Sequence, residues 1–144
     1  MLTAEVLFML IIGHCIGDFL LQPATLAKNK KKNTLYGWSV CAVHCMIYVL
    51  TVVMAIAWTS YKSTMLQIFL IFLTHFVIDK TRLLDVYFKI MKIRSWDTNI
   101  TNPQSHSLIT VKQAVDVSFG AVVYVVADNT LHLLSLYCIL KFLQ

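Results

Sequence analysis

Met65-Leu66-Gln67-Ile68-Phe69-Leu70-Ile71-Phe72-Leu73 is the stretch on which the fold turns. A half-buried strand alternates polar with apolar residues, and so does a strand of a membrane β-barrel. This run does not alternate, and it continues through His75 to Asp79 without a Gly or Pro. It therefore reads as a helix, about as long as the roughly 20 residues that a bilayer core requires.

Working outward, two comparable apolar segments precede it, and the third extends over Ser63 to Asp79. The first runs from Leu2 to Gln22 and is ended by Pro23 and Lys28-Asn29-Lys30-Lys31-Lys32-Asn33; the second runs from Leu35 to Thr59. After the third, Leu83, Leu84, Tyr87, Ile90 and Met91 recur at helical spacing between Thr81 and Arg94, with Lys80, Arg82, Lys89, Lys92 and Arg94 on other positions. That pattern predicts an amphipathic helix lying at the membrane surface. Ser95 to Ser107 is polar, holds Pro103 and reads as a loop. The last apolar region, Ile109 to Leu143, exceeds one span. It is either one tilted helix or a short interfacial helix followed by a span from Ser118, with Gly120 as the bend. The expected fold is all-α: a polytopic membrane protein with a four-transmembrane-helix bundle and an amphipathic cytoplasmic-side helix after the third span. Residues 1–144 would form a single transmembrane domain.

Composition points the same way. Of 144 residues, 58% are hydrophobic and 13% charged, and mean hydropathy is +0.72. A soluble domain carries about a quarter charged residues, so this chain has too few to cover a water-facing surface. The net charge of +5 reads as membrane orientation, because basic residues collect in cytoplasmic loops. Lys28, Lys30, Lys31 and Lys32 follow the first segment, five Lys or Arg against Asp85 and Asp97 follow the third, and only Lys62 lies between the second and third. Both termini are then expected outside the cytoplasm. Trp38, Trp58 and Tyr61 fit interface anchors. Nucleic acid is not an expected partner, since the basic residues lie beside apolar spans without an interleaved aromatic platform. Met1-Leu2-Thr3-Ala4-Glu5 lacks a basic leader, so the first segment is expected to remain as a helix. Cys15, Cys41, Cys45 and Cys138 all fall in apolar segments and read as small buried thiols. Cys45 as a metal ligand is the lesser alternative.

Ionisable groups within a bilayer cost a few kcal/mol or more each at mid-depth and are kept for a purpose. Seven stand in or near these spans: His14, Asp18, His44, His75, Asp79, Asp128 and His132. His14 and Asp18 are four apart, as are His75 and Asp79, and Asp128 and His132 repeat the spacing in reverse order. Four-residue spacing places each pair on one helical face. In a four-span bundle the reversed pair sits on a helix crossing the other way. Each Asp then lies on the same side of its His, in layers about 6 Å apart, with the Asp layer nearer the cytoplasm. His44 should match His14 in depth to within a turn, flanked by Cys41 and Tyr48. Gln22 extends the first stripe, and Gly17 lets a neighbouring helix approach closely. Imidazole and carboxylate suit zinc, iron and manganese. A divalent metal, zinc before others, is the expected cofactor as one or two ions, with Asp18, Asp79 or Asp128 as ligand or general base. The competing reading is that each pair merely hydrogen-bonds helices together. His106 reads as a solvated loop residue and Asp116 as interfacial.

At these residues the chain resembles the bacterial and phage membrane proteins called domain of unknown function 3307. The matching pieces are His14-Cys15-Ile16-Gly17-Asp18-Phe19-Leu20-Leu21-Gln22, Ala27-Lys28, His44 with Tyr48, His75-Phe76-Val77-Ile78-Asp79, and Asp128 to His132. Asn129 departs from the Gln usual after that Asp. The resemblance implies the four-helix count and a multi-pass protein of the bacterial inner membrane; it supplies no activity. Membrane-bound metal-dependent hydrolases carry similar His/Asp patterns, an analogy of motif alone. The expected function is a membrane-embedded metal-dependent hydrolase acting on a lipid or lipid-linked substrate. The alternatives are an ion or proton conductor, with a homo-oligomer as its route to a pore, and a phage or bacterial accessory protein that binds a membrane partner.

Overall fold

The computed structural model describes residues 2–81, 83–90 and 111–143, and every regular element among them is helical. The end of the amphipathic stretch, the Ser95–Ser107 loop with His106, and Ile109 lie outside the described residues. The elements are α1 (Ala4–Cys15), a π-helical turn (Ile16–Leu20), α2 (Ala24–Asn29), α3 (Leu35–Ala57), α4 (Met65–Lys80), α5 (Leu83–Ile90) and α6 (Val111–Phe142). They belong to two compact units, Met1–Thr81 with Leu131–Gln144, and Arg82–Thr130.

Threonine starts three of these helices, as expected where a side-chain oxygen must take up an orphan backbone N–H. Thr3 accepts from Val6 N at 3.3 Å and Thr34 from Gly37 N at 3.1 Å. Thr64 accepts from Gln67 N at 3.3 Å while Gln67 Oε1 accepts from Thr64 N at 2.8 Å, a reciprocal capping box. Buried Gln67 then donates its amide to Tyr61 OH and to the Leu143 carbonyl, which ties the end of α6 to the start of α4.

Four full-length spans are not what the helix lengths show. Two helical stretches are long and apolar enough to cross a membrane, Leu35–Ala57 and Ser118–Phe142. α4 has 16 residues, or about 24 Å at 1.5 Å per residue against a core of about 30 Å. α1 has 12 residues before the π turn changes its pitch. The last region is one continuous helix of 32 residues, and Gly120 sits inside it without breaking it. In the second unit, α5 forms over the amphipathic stretch as expected, and its Phe88 ring lies 5.9 Å from that of Tyr124.

The core of the first unit is Val6, Leu10, Tyr48, Val52, Ile56, Ile71, Leu136, Ile139 and Leu140. α1 lies directly on α3 because Gly13 and Gly17 carry no side chain there. A Cβ at Gly13 would fall 2.9 Å from both Ala55 Cβ and Val52 Cα. Small residues four apart are what close backbone approach requires. Beside this apolar core, ionisable side chains are buried while several large apolar ones are exposed. His14, Asp18, Lys30, His44, His75, Asp79 and His132 are buried, while Phe8, Leu35, Met46, Leu50, Met65 and Phe69 are exposed.

Candidate metal centre

The core helices carry Asp18, His44, His75 and Asp79 to one point, where one donor atom from each lies within 4.8 Å of all the others. His44 Nε2 is at the middle of the group. It lies 3.2 Å from Asp18 Oδ1, 3.2 Å from Asp79 Oδ2 and 3.2 Å from His75 Nε2. His75 Nε2 is 3.5 Å from Asp79 Oδ2 and 4.0 Å from Asp18 Oδ1. All four residues are buried, His44 completely. An imidazole nitrogen offers one proton or one lone pair, so hydrogen bonding alone cannot serve three such neighbours at once. Ligands held at 2.0–2.1 Å around a tetrahedral zinc stand about 3.3 Å from one another. The observed separations bracket that spacing, so the donor set fits a divalent ion.

His75 and Asp79 converge as their spacing predicts, because the Cα–Cβ bonds of a helix tilt toward its N-terminus and lean Asp79 back over the preceding turn. For the same reason the two expected layers do not stay apart: a long imidazole spans the turn, and carboxylates and imidazoles meet in one cluster. The π turn, marked by Leu21 N donating to Ile16 O at 2.9 Å, inserts extra chain between the two faces, as such turns do at functional sites. Asp18 lies beside His44, and His14 Nδ1 is 3.0 Å from the Tyr48 hydroxyl. The His14 ring lies 5.8 Å from that of His132. Tyr48 stacks flat on His75, centroids 3.6 Å apart, and fixes the orientation of that imidazole. His132 joins the rim, with Nε2 3.6 Å from Asp79 Oδ1. Asp128 stands one turn before His132 on α6, but in the other unit.

Lys30 is the residue that sequence reasoning missed. Among the basic residues of the 28–32 run it is buried, and its Nζ donates to Asp79 Oδ2 at 2.7 Å. The Gln22 amide oxygen, in the orientation that satisfies both ends, accepts from Lys30 Nζ at 2.6 Å and lies 3.0 Å from His44 Nε2. Lys80 clamps this segment by donating to the carbonyls of Lys30 (3.0 Å) and Lys32 (2.8 Å). The loop thus closes over the cluster. Asp18, Asp79 and Lys30 sum to one net negative charge with neutral imidazoles, so the centre accommodates a further cation.

The seat of that loop is tight at Gly37, where a Cβ would collide with the Lys32 carbonyl. Gly37→Ala is expected to push the loop off α3 at a cost of about 1–3 kcal/mol. The expected readout is a lower unfolding midpoint in detergent. An unchanged midpoint would show that the loop is not seated there.

No curated protein and no solved structure matches this chain. Residues 6–144, nearly all of it, match the family model described as Protein of unknown function (DUF3307), and the chain belongs to that family.

Proposed function

We propose that the protein is a membrane-embedded, metal-dependent hydrolase with a divalent ion, zinc first, held by His44, His75 and Asp79. The observation that carries this is the crowd of donors around His44 Nε2, all at 3.2 Å. Three protein ligands leave the fourth position of a tetrahedral ion open, and a metal there lowers the pKa of bound water toward neutrality. Asp18 is the group placed to take a proton from such a water. Its Oδ1 is buried without a hydrogen-bond partner, near His44 but 4.0 Å from His75.

The many exposed large apolar side chains support a bilayer setting, since apolar surface is driven inward only where water is the solvent. In this reading α1 with its π turn, α3, α4 and α6 form a four-span bundle in the cytoplasmic membrane. The Lys-rich loop faces the cytoplasm and both termini face away. The centre then lies under the headgroups, next to exposed lysines that favour anionic lipid, and the substrate class is a lipid or lipid-linked ester.

The test is elemental analysis of protein purified without chelator, together with hydrolysis of lipid substrates. Wild type is expected to retain metal, and His44→Ala to lose it by roughly ten-fold or more, with product formation stopping in both the variant and chelator-treated wild type. Metal-free wild type would refute the proposal. One observation favours a second reading, an accessory protein whose cluster is structural. Lys30 already places a cation 2.7 Å from Asp79. In that case His44→Ala would leave function intact whenever the chain still folds.

A further inference from the structure

The metal centre has a neighbour that the hydrolase reading does not use. Cys41 and Cys45 are one turn apart on α3 and wholly buried, yet neither belongs to the apolar core cluster. Their sulfurs face α4, where both Sγ atoms and an Asp79 carboxylate oxygen lie within 4.8 Å of one another. Packing does not call for two thiols beside a buried carboxylate. An apolar side chain would fill the space without placing weakly polar sulfur against a charge. Vicinal thiols at successive turns of one helix present their sulfurs side by side, which suits chelation.

We infer that Cys41, Cys45 and Asp79 form a second metal subsite, and that Asp79 bridges it to the ion at His44 and His75. The proposal rests on the metal-centre reading above and deepens it from one ion to two. A bridging carboxylate is the group that holds two ions about 3.5–4 Å apart in binuclear hydrolytic sites. Asp79 is suited to this because it is a member of both donor sets. Thiolate ligands select zinc and related soft or borderline ions over magnesium or calcium. Binding releases the two thiol protons to solvent as the sulfurs become thiolates, and no oxidant or reductant is involved. Three protein donors leave the fourth position of this ion open as well.

Cobalt(II) substitution tests the inference and separates it from the reading beneath it. Cobalt held by imidazole and carboxylate shows visible ligand-field bands, and cobalt held by thiolate adds a strong near-ultraviolet sulfur-to-metal band. Wild type loaded with cobalt is expected to show both, with about two ions per chain. In Cys41→Ser/Cys45→Ser the near-ultraviolet band is expected to vanish and the content to fall to about one ion, with the visible bands retained. Cys15→Ser/Cys138→Ser, which alters the thiols outside the subsite, is expected to keep both signals. Wild type with visible bands but no sulfur band would overturn the second subsite and leave the first standing. Wild type that binds no cobalt would overturn both. The wild-type spectrum is decisive even if the double variant fails to fold.

Discussion

Asp79→Asn is expected to abolish metal retention and to destabilise the chain together, the largest effect of any single substitution in the molecule. Its carboxylate meets Lys30 at 2.7 Å, His44 at 3.2 Å, His75 at 3.5 Å and His132 at 3.6 Å. The isosteric amide removes the charge that holds any cation there and leaves the buried Lys30 ammonium unpaired. Breaking a buried ion pair from one side costs about 3–5 kcal/mol, and loss of a ligand lowers metal affinity by about 100-fold or more. The two effects separate in a second variant. Lys30→Met in the Asp79→Asn background removes the orphaned charge, so most of the stability is expected to return while the metal does not. Unfolding in detergent and metal content, measured on the same preparations, check this. Recovery of both would assign Asp79 to the ion pair alone; full metal content in the single variant would remove it from the ligand set.

Gly17→Leu is expected to unseat the centre without touching a ligand. A Cβ at Gly17 would lie 2.5 Å from Thr51 Oγ1, 3.0 Å from Tyr48 Cδ2 and 3.1 Å from Tyr48 Cα. The last of these is backbone and cannot turn aside. α1 must then lift from α3, which withdraws Asp18 from His44 and His14 from Tyr48. Overpacking of this kind costs about 3 kcal/mol, with more for a bulky side chain. Gly17→Ala should fall between wild type and Gly17→Leu. Pairing it with Thr51→Ala, which removes the closest clash, is expected to recover part of the loss. If Gly17→Leu unfolds at the wild-type midpoint and keeps its metal, α1 does not pack on α3 through this face.

Much of this architecture could be read along the chain, because hydropathy and helical spacing are local properties. The apolar run from Met65 and the threonines before α1, α3 and α4 specify helices whatever surrounds them. The four-residue spacing of His75 and Asp79 makes a shared face unavoidable on any helix. The 16-residue length of α4 was less accessible, since apolar residues continue into its flanks and length is set by where capping wins.

The choice of partner was not local. A run of four lysines looks the same whether it is solvated or folded inward, and only the packing of the loop against α3 and α4 selected Lys30 for Asp79. The π turn has no spacing signature. Within and before it, Asp18 lies beside His44 and His14 beside Tyr48. Cys41 and Cys45 read as ordinary apolar-segment thiols until Asp79 arrives beside them from another helix. Sequence alone determined which residues were polar and helical. Tertiary structure decided which of them touch, because side-chain contact depends on the rotation and separation of neighbouring helices, and those are set by packing at glycines and loops.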